Sequence, residues 1–391
     1  MINWKLPTRG QLPIGLDIGH NSIKMIQLEA NAERIRVLGA ESVHIDSSAN
    51  AEDKQRRDFI VTALKQMLAD GTFQGRNVVS SLPNGKLRIA SVRMAEAEDD
   101  DIRRVLRKEV RQRFGTSGEN DAVDYLIAGT VRLGDDVKNE LILFTAEDQV
   151  IKDHIEMLEE AELRPTAVDT IPCALFRSFA RSMRRHEDRE RTTIFVDVGS
   201  RFTTLVFGRR DEIGFVKQIP IGGERFNQEL ASKLGITAGE AQTLRETLQE
   251  ERMIETRRGG GGDAPSRQAK RGRLDASTRQ MMIDAIGAVA EELAREISLC
   301  LRYYTVTFRG KRIERAVFAG GEAYEEILLN VLRRQLTVKI EVSEPLRGFD
   351  VTNFHVDNDG RGLFCEWAVA VGLGLRGLNR IADEQDGNER N

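Results

Sequence analysis

Residues 13–28, PIGLDIGHNSIKMIQL, and residues 194–207, IFVDVGSRFTTLVF, carry one plan twice. Each runs an apolar strand into Asp-x-Gly, turns through a short polar tip and returns as an alternating strand. Alternation on both sides of a glycine turn reads as a β-hairpin. Asp17 and Asp197 stand about one domain length apart, so each hairpin opens a lobe of its own. A glycine at the tip has no Cβ, which lets backbone N–H groups approach and donate to phosphate oxygens. The Asp ending a buried strand offers a carboxylate where a hydrated Mg²⁺ would sit against those phosphates. One Asp-x-Gly is ordinary turn chemistry. Its repetition at domain spacing points to a phosphate cradle.

Working outward, a third glycine signal lies at residues 315–323, RAVFAGGEA, a strand running into Gly320-Gly321 before a helical pattern from Tyr324 to Gln335. Two glycines at such a turn let a flat ring lie on bare backbone, although alone the pattern is a tight βα connection. Ile221-Gly222-Gly223 introduces a helix over Glu224 to Leu234, and helical sequence resumes at Thr237 and fades near residue 254.

Between the hairpins, strands are expected over 14–45, Val78 to Leu82 and Lys86 to Met94. Helices are expected over Asp53 to Ala69, Glu98 to Phe114 and Glu147 to Ala161, with a short strand over Leu163 to Asp169. The stretch 88–165 reads as a compact insert within the first lobe. The expected layout is a tail over 1–13, a first lobe over 14–190 and a second lobe over 191–363. A closing helix over 364–380 completes the first lobe, and a polar tail follows over 381–391. A long helix from Ala276 to Phe308 carries one apolar stripe. Residues 255–275, ETRRGGGGDAPSRQAKRGRLD, have too few apolar residues for a core and read as a solvated basic loop.

Composition narrows the classes. With 58 Lys+Arg against 62 Asp+Glu the net charge is −4, which gives no whole-molecule reason to expect nucleic acid or an anionic membrane. No aromatic residues interleave the basic loop to stack bases. The three cysteines are scattered and form no CxxC pair, and the five histidines show no metal spacing. No apolar run is long enough for a signal peptide or a membrane span, so a cytoplasmic protein is expected.

With these residues in hand, the chain resembles the actin-like ATPase superfamily (the actin, Hsp70 and FtsA group) and within it the PilM family of type IV pilus assembly proteins. GLDIGHNSIKMIQLE is similar to the first phosphate loop, and FVDVGSRFTTLVFGRRDEIGFVKQIPIGGERFNQELA to the second phosphate segment. AVFAGGEA is similar to the adenosine motif and WAVAVGLGLRGL to the closing helix. The stretch from SLPNGKLRIASVRM through ELRPTAVD is similar to the insert that sets the family apart from actin.

The resemblance implies an α/β, two-lobed, duplicated ribonuclease-H-like ATPase fold with a small α+β insert. It implies ATP in the cleft with Mg²⁺ near Asp17 and Asp197 through water. Asp17, Gly19, His20, Asn21 and Ser22 would form the first loop. Asp197, Gly199, Ser200, Thr203 and Thr204 would form the second, with Gly222 and Gly223 following. Gly320, Gly321 and Glu322 would line the adenosine, with Glu240 and Arg245 beside the purine. It further implies a scaffold beneath the inner membrane that binds the cytoplasmic N-terminal tail of a PilN-like protein and other platform proteins.

Some positions depart from the family pattern. His20 stands where a small hydroxyl residue is usual, Gln242 and Arg245 replace Glu and Lys, and Ile171 replaces a Glu, which favours ATP binding over hydrolysis. Two other readings compete. A sugar-kinase type phosphotransferase would need a general base, for which Asp169 is the candidate by position. A filament-forming division protein of the FtsA kind would need an amphipathic membrane helix, which NRIADEQDGNERN does not supply.

Overall fold

The computed structural model describes residues 9–31, 34–45, 53–95, 99–115, 121–133, 136–180, 191–258, 274–308, 313–354 and 363–378. The first sheet is built on β2 (Ile14–Ile18) and β3 (Ser22–Asn31), the two arms of the first hairpin. Strand β4 (Ile35–His44) pairs with the outer edge of β3, and β1 (Arg9–Gln11) lies along its inner edge beyond β2. Pro13, which has no N–H to donate, separates β1 from β2. On its other side β2 pairs parallel to β5 (Asn77–Ser81), and β5 pairs parallel to β9 (Arg164–Asp169).

The second sheet repeats this scheme. Strand β10 (Thr192–Val198) pairs antiparallel to β11 (Thr203–Arg209), which pairs antiparallel to β12 (Glu212–Ile219). On its other edge β10 pairs parallel to β13 (Ile313–Ala319), and β13 to β14 (Lys339–Val342). The duplication seen at the hairpins thus extends through both sheets.

A third, antiparallel sheet joins β6 (Arg88–Met94), β8 (Asp136–Ala146) and β7 (Ala122–Leu133) in that order. Helix α2 (Asp99–Phe114) covers one face through Ile102, Leu106 and Val110. The other face, with Ala128, Val131, Ile142 and Phe144, shares a core with Phe207 and Phe215 of the second lobe. The insert therefore arises from the first lobe and buries a face against the second.

Alternation decides which way each first-lobe strand faces. Ile14, Leu16 and Ile18 point to α1 (Asp53–Asp70) and α3 (Asp148–Glu160), packing with Leu64, Met67 and Leu158. The opposite face receives α4 (Ile171–Ala180) and the late helix α9 (Ala368–Gly374), which follows a short 3₁₀ turn at Cys365–Trp367. Between them in sequence lie α5 (Gly223–Leu234), α6 (Ala238–Arg258), α7 (Ala276–Thr307) and α8 (Glu326–Gln335) of the second lobe. Phe179 of α4 stacks on Phe195 of β10 at 5.2 Å, which ties the two lobes together.

Three expected boundaries move. Residues 9–11 are a strand and not part of a tail, because β3 outruns β2 and leaves an edge to pair. The insert ends near residue 146 and not 165, because Met157, Leu158, Ala161 and Leu163 are buried in the first lobe's own core. The expected loop over 255–275 overlaps described structure at both ends. Helix α6 runs through Arg258, and Asp275 caps α7 by accepting from the N–H groups of Ser277 and Thr278. Residues 259–273 lie outside the described residues, as do the tail before 9 and the polar segment after 378.

Helix α9 is buried on all sides and approaches β2 and α4 backbone to backbone. A Cβ on Gly372 would enter the van der Waals shell of Ala174 O, and one on Gly15 would meet Ala370 O and Gly374 N. Gly372→Ala should therefore cost about 2 kcal/mol or more in urea unfolding. Gly287→Ala, on a face of α7 where a Cβ meets nothing, should be neutral or stabilise by up to about 1 kcal/mol. Equal effects at the two sites would refute the close approach.

Candidate functional site

The two hairpin tips close in the same way. Gly19 N donates to Ser22 O at 2.9 Å, and Gly199 N donates to Phe202 O at 3.0 Å. In register, Asp17 faces Lys24 across the first hairpin and Asp197 faces Thr204 across the second. Lys24 Nζ donates to Ser22 Oγ at 2.6 Å. The Asp17 carboxyl is pushed above its ordinary value by burial, partly offset by Lys24. Asp197 is pushed up to about 7, first by burial and then by the charge of Asp17, with Lys24 opposing. The fold thus brings the two carboxylates near enough to repel each other, with one amine beside them.

The third glycine signal joins this group. Gly320 takes φ +90°, which an L side chain rarely adopts, and a Cβ there would press on Asp197 Oδ1 at 2.6 Å. Gly321 opens a short 3₁₀ turn, Gly321–Tyr324, with nothing of the protein close above it. At the start of α5, Gly223 N donates to Gly199 O and Glu224 N to Ser200 O, at 3.0 and 2.8 Å. The Gly222-Gly223 turn is therefore seated directly on the second tip.

Several expected contacts have other uses. Thr203 is fully buried and its hydroxyl donates to Ile221 O at 2.7 Å, so it supports the Gly222 turn. Thr204 Oγ1 accepts from Asn84 Nδ2 at 3.0 Å. Glu240 is exposed and accepts from Thr237 N and Thr237 Oγ1, both at 2.8 Å, forming a capping box at the start of α6. Arg245 is buried, pairs with Glu322 and donates to Asn227 Oδ1 at 2.8 Å. Its guanidinium carbon lies 5.0 Å from the Phe226 ring centroid. The arginine thus ties α6 to α5 and to the Gly320 turn, with its Nε lacking a partner. Asn21 contributes its carbonyl to Ile45 N at 2.8 Å.

Asp169, the candidate general base, is committed elsewhere. Its Oδ2 receives Arg177 and Arg376, each at 2.9 Å, and its Oδ1 accepts from Thr170 N. A carboxylate held by two guanidiniums is a structural tie between α4 and the chain beyond α9.

Sequence reasoning passed over Lys24, Asn84, Gln218, Arg56, Glu224 and Arg201 at this site. Asn84, in a 3₁₀ turn at Asn84–Lys86 leading to the insert, donates to Thr204 and accepts from Gln218 Nε2 at 2.8 Å. Arg56 of α1 donates to Gly19 O and His20 O at 2.7 and 3.0 Å. Glu224 pairs with His20 of the first tip and with Arg201 of the second. Only the spacing of Glu224 just after the glycine pair hinted at its place.

The group suits a magnesium–polyphosphate. It offers two repelling carboxylates, an amine, bare glycine backbone and a buried Ser200 Oγ without a hydrogen-bond partner. Among the described residues no cluster of three or more His, Cys, Asp or Glu could hold a metal by itself, so a cation here would share ligand oxygens.

Residues 15–255 match the family of type IV pilus assembly protein PilM. Among solved structures, the chain is similar to a PilM–PilN type IV pilus biogenesis complex, at 19% identity and a TM-score of 0.71, covering 94% of this chain and 98% of that one. It is also similar to the ethanolamine utilization protein EutJ from Carboxydothermus hydrogenoformans, at 12% identity and a TM-score of 0.51, covering 96% and 92%. The shared architecture is that of actin-like ATPases.

Asp197 holds its proton more tightly in the folded protein, with a pKa near 7, than an ordinary aspartate does at 3.8. The folded protein therefore binds the extra proton, and ligand-free stability from this group falls as pH rises from about 4 to about 7. His154, pushed down to about 4 by burial, slopes the other way below its ordinary pKa. The measurement is thus a difference. Asp197→Asn should gain stability over wild type by on the order of 2 kcal/mol between pH 5 and pH 8. Parallel pH–stability curves for the two proteins would contradict the opposed carboxylates.

Proposed function

The chain belongs to the PilM family of type IV pilus assembly proteins, an actin-like scaffold family, and on that footing we propose that it binds ATP with Mg²⁺ between its two hairpins. We propose equally that it docks the cytoplasmic N-terminal tail of a PilN-like inner-membrane protein. The observation that carries the nucleotide half is the opposition of Asp17 and Asp197 at matching ends of the duplicated sheets. Asp17 and Asp197 would hold Mg²⁺ through water, and the ion would neutralise phosphate charge. Lys24, Ser22, Ser200 and the glycine backbone of both tips would face the phosphates, with Gly320, Gly321 and Glu322 towards the nucleoside.

Support for the partner half is the family itself and a relative of the same fold solved with PilN. No helix among the described residues is long and apolar enough to cross a membrane, so contact with the inner face of the inner membrane would run through such partners. Turnover would be slow or absent, since α4 opens with Ile171 where the family pattern has a carboxylate. The commitment of Asp169 to Arg177 and Arg376 speaks against a phosphotransferase.

Titration calorimetry with MgATP tests the nucleotide half. Wild type should bind, and Asp17→Ala with Asp197→Ala should weaken binding roughly hundredfold, about 2.7 kcal/mol. A wild type that binds no adenine nucleotide would defeat the reading. Fluorescence anisotropy with a labelled PilN N-terminal peptide tests the partner half, where saturable binding is expected and its absence would remove the peptide from the proposal.

A further inference from the structure

Glu224, the second residue of α5, is held by both hairpin tips at once. His20 Nε2, from the first tip, lies 2.7 Å from Glu224 Oε1. Arg201 Nε, from the second tip, donates to the same oxygen at 2.9 Å. The main chain of Glu224 is fixed by its N–H bond to Ser200 O, so the carboxylate is carried to a set point between the lobes. Arg56 backs the first tip by binding the carbonyls of Gly19 and His20. One carboxylate oxygen taking nitrogen donors from two lobes, at the mouth of a phosphate-like cradle, has the partners of a phosphate oxygen.

This inference rests on the reading that the cradle takes a nucleoside polyphosphate. We propose that Glu224 is an internal anion standing in for the terminal phosphate: it latches the tips together in the ligand-free protein, and the arriving phosphate displaces it and takes over His20 and Arg201. Discrimination between triphosphate and diphosphate then lies with two side chains outside the Asp-x-Gly pattern. Two further observations agree. Burial and the nearby Arg201 and Arg56 hold the His20 pKa down against the pull of Glu224, so a more highly charged anion would suit that ring better. Ser200 Oγ, one residue from Arg201, is buried with no hydrogen-bond partner, and a phosphate would supply an acceptor. His20 also explains itself in these terms. A small hydroxyl residue at the tip could not span the gap to α5.

The test uses calorimetry on wild type, Glu224→Gln, His20→Ala and Arg201→Ala, with MgATP, MgADP and tripolyphosphate. Removing the competing charge in Glu224→Gln should tighten ATP and tripolyphosphate about fivefold and leave ADP within about twofold. His20→Ala and Arg201→Ala should weaken ATP by a similar factor and spare ADP. A Glu224→Gln protein that binds ATP and tripolyphosphate no better than wild type overturns the latch. Tripolyphosphate binding as tight as ATP would sink the nucleotide reading while leaving the latch standing. If no protein in the set binds any of the three, both ideas fail. Nitrogen NMR of the histidine rings, with His20 assigned through His20→Gln, gives a readout on wild type alone. The His20 Nε2 signal should move as tripolyphosphate saturates, and a stationary signal during binding would also overturn the proposal.

Discussion

Two carboxylates that repel each other sit at the centre of this molecule. Each is placed by an independent sheet, and each sheet is completed by strands that arrive from far along the chain. Neither Asp17 nor Asp197 can retreat, because each ends a strand paired on both sides. The repulsion is tolerated through Lys24 and through retention of a proton near neutral pH, not through distance. Sites that carry unrelieved charge in the ligand-free state are those in which an incoming counter-charge gains most. The duplicated fold and the chemistry of the cleft are in this sense one arrangement, since symmetry brings like groups together.

What the sequence could reveal was set by the range of the interaction. The hairpins, their glycine tips and the strand-to-helix turn at Gly320 are local patterns, and residue spacing alone exposes them. The partners of Asn84, Glu224 and Arg56 lie in other elements, and nothing in periodicity says which distant side chain will meet them. Glu240 has a local role that its own neighbours spell out. Thr237-x-x-Glu240 is a capping box, a pattern legible in the sequence itself. Arg245 is the converse case, since its ion pair with Glu322 and its hydrogen bond to Asn227 come from other elements that spacing does not reveal. The end of the insert is hard to read for a related reason, since an amphipathic helix announces its apolar stripe but not the sheet that will cover it.

The insert ties the cleft to the periphery. Its sheet buries one face with α2 and the other with the second lobe, and Arg93 and Glu140 reach Tyr303 of α7. At its root, the Asn84 amide spans Thr204 and Gln218, two residues paired in adjacent strands of the second sheet. A shift of the second hairpin relative to the first lobe would strain or break these bonds. The insert is therefore mechanically continuous with the two hairpins through a few named contacts.

The return of α9 to the first lobe also bears on biosynthesis. Trp367, Ala370, Val371, Leu375 and Leu378 share a core with Leu12, Ile26, Leu28, Ile35 and Val37, so residues from both ends of the described chain are needed to bury one face of the first sheet. During translation that face stays open until the last of these residues has left the ribosome, at roughly 5–20 residues per second. The second sheet, β10 to β14, is complete once Val342 has been made, before α9 is available to the first lobe. The nascent chain thus exposes an apolar surface beside β1, β2 and β3 for most of its synthesis, and chaperones that recognise such surfaces would meet the N-terminal lobe first.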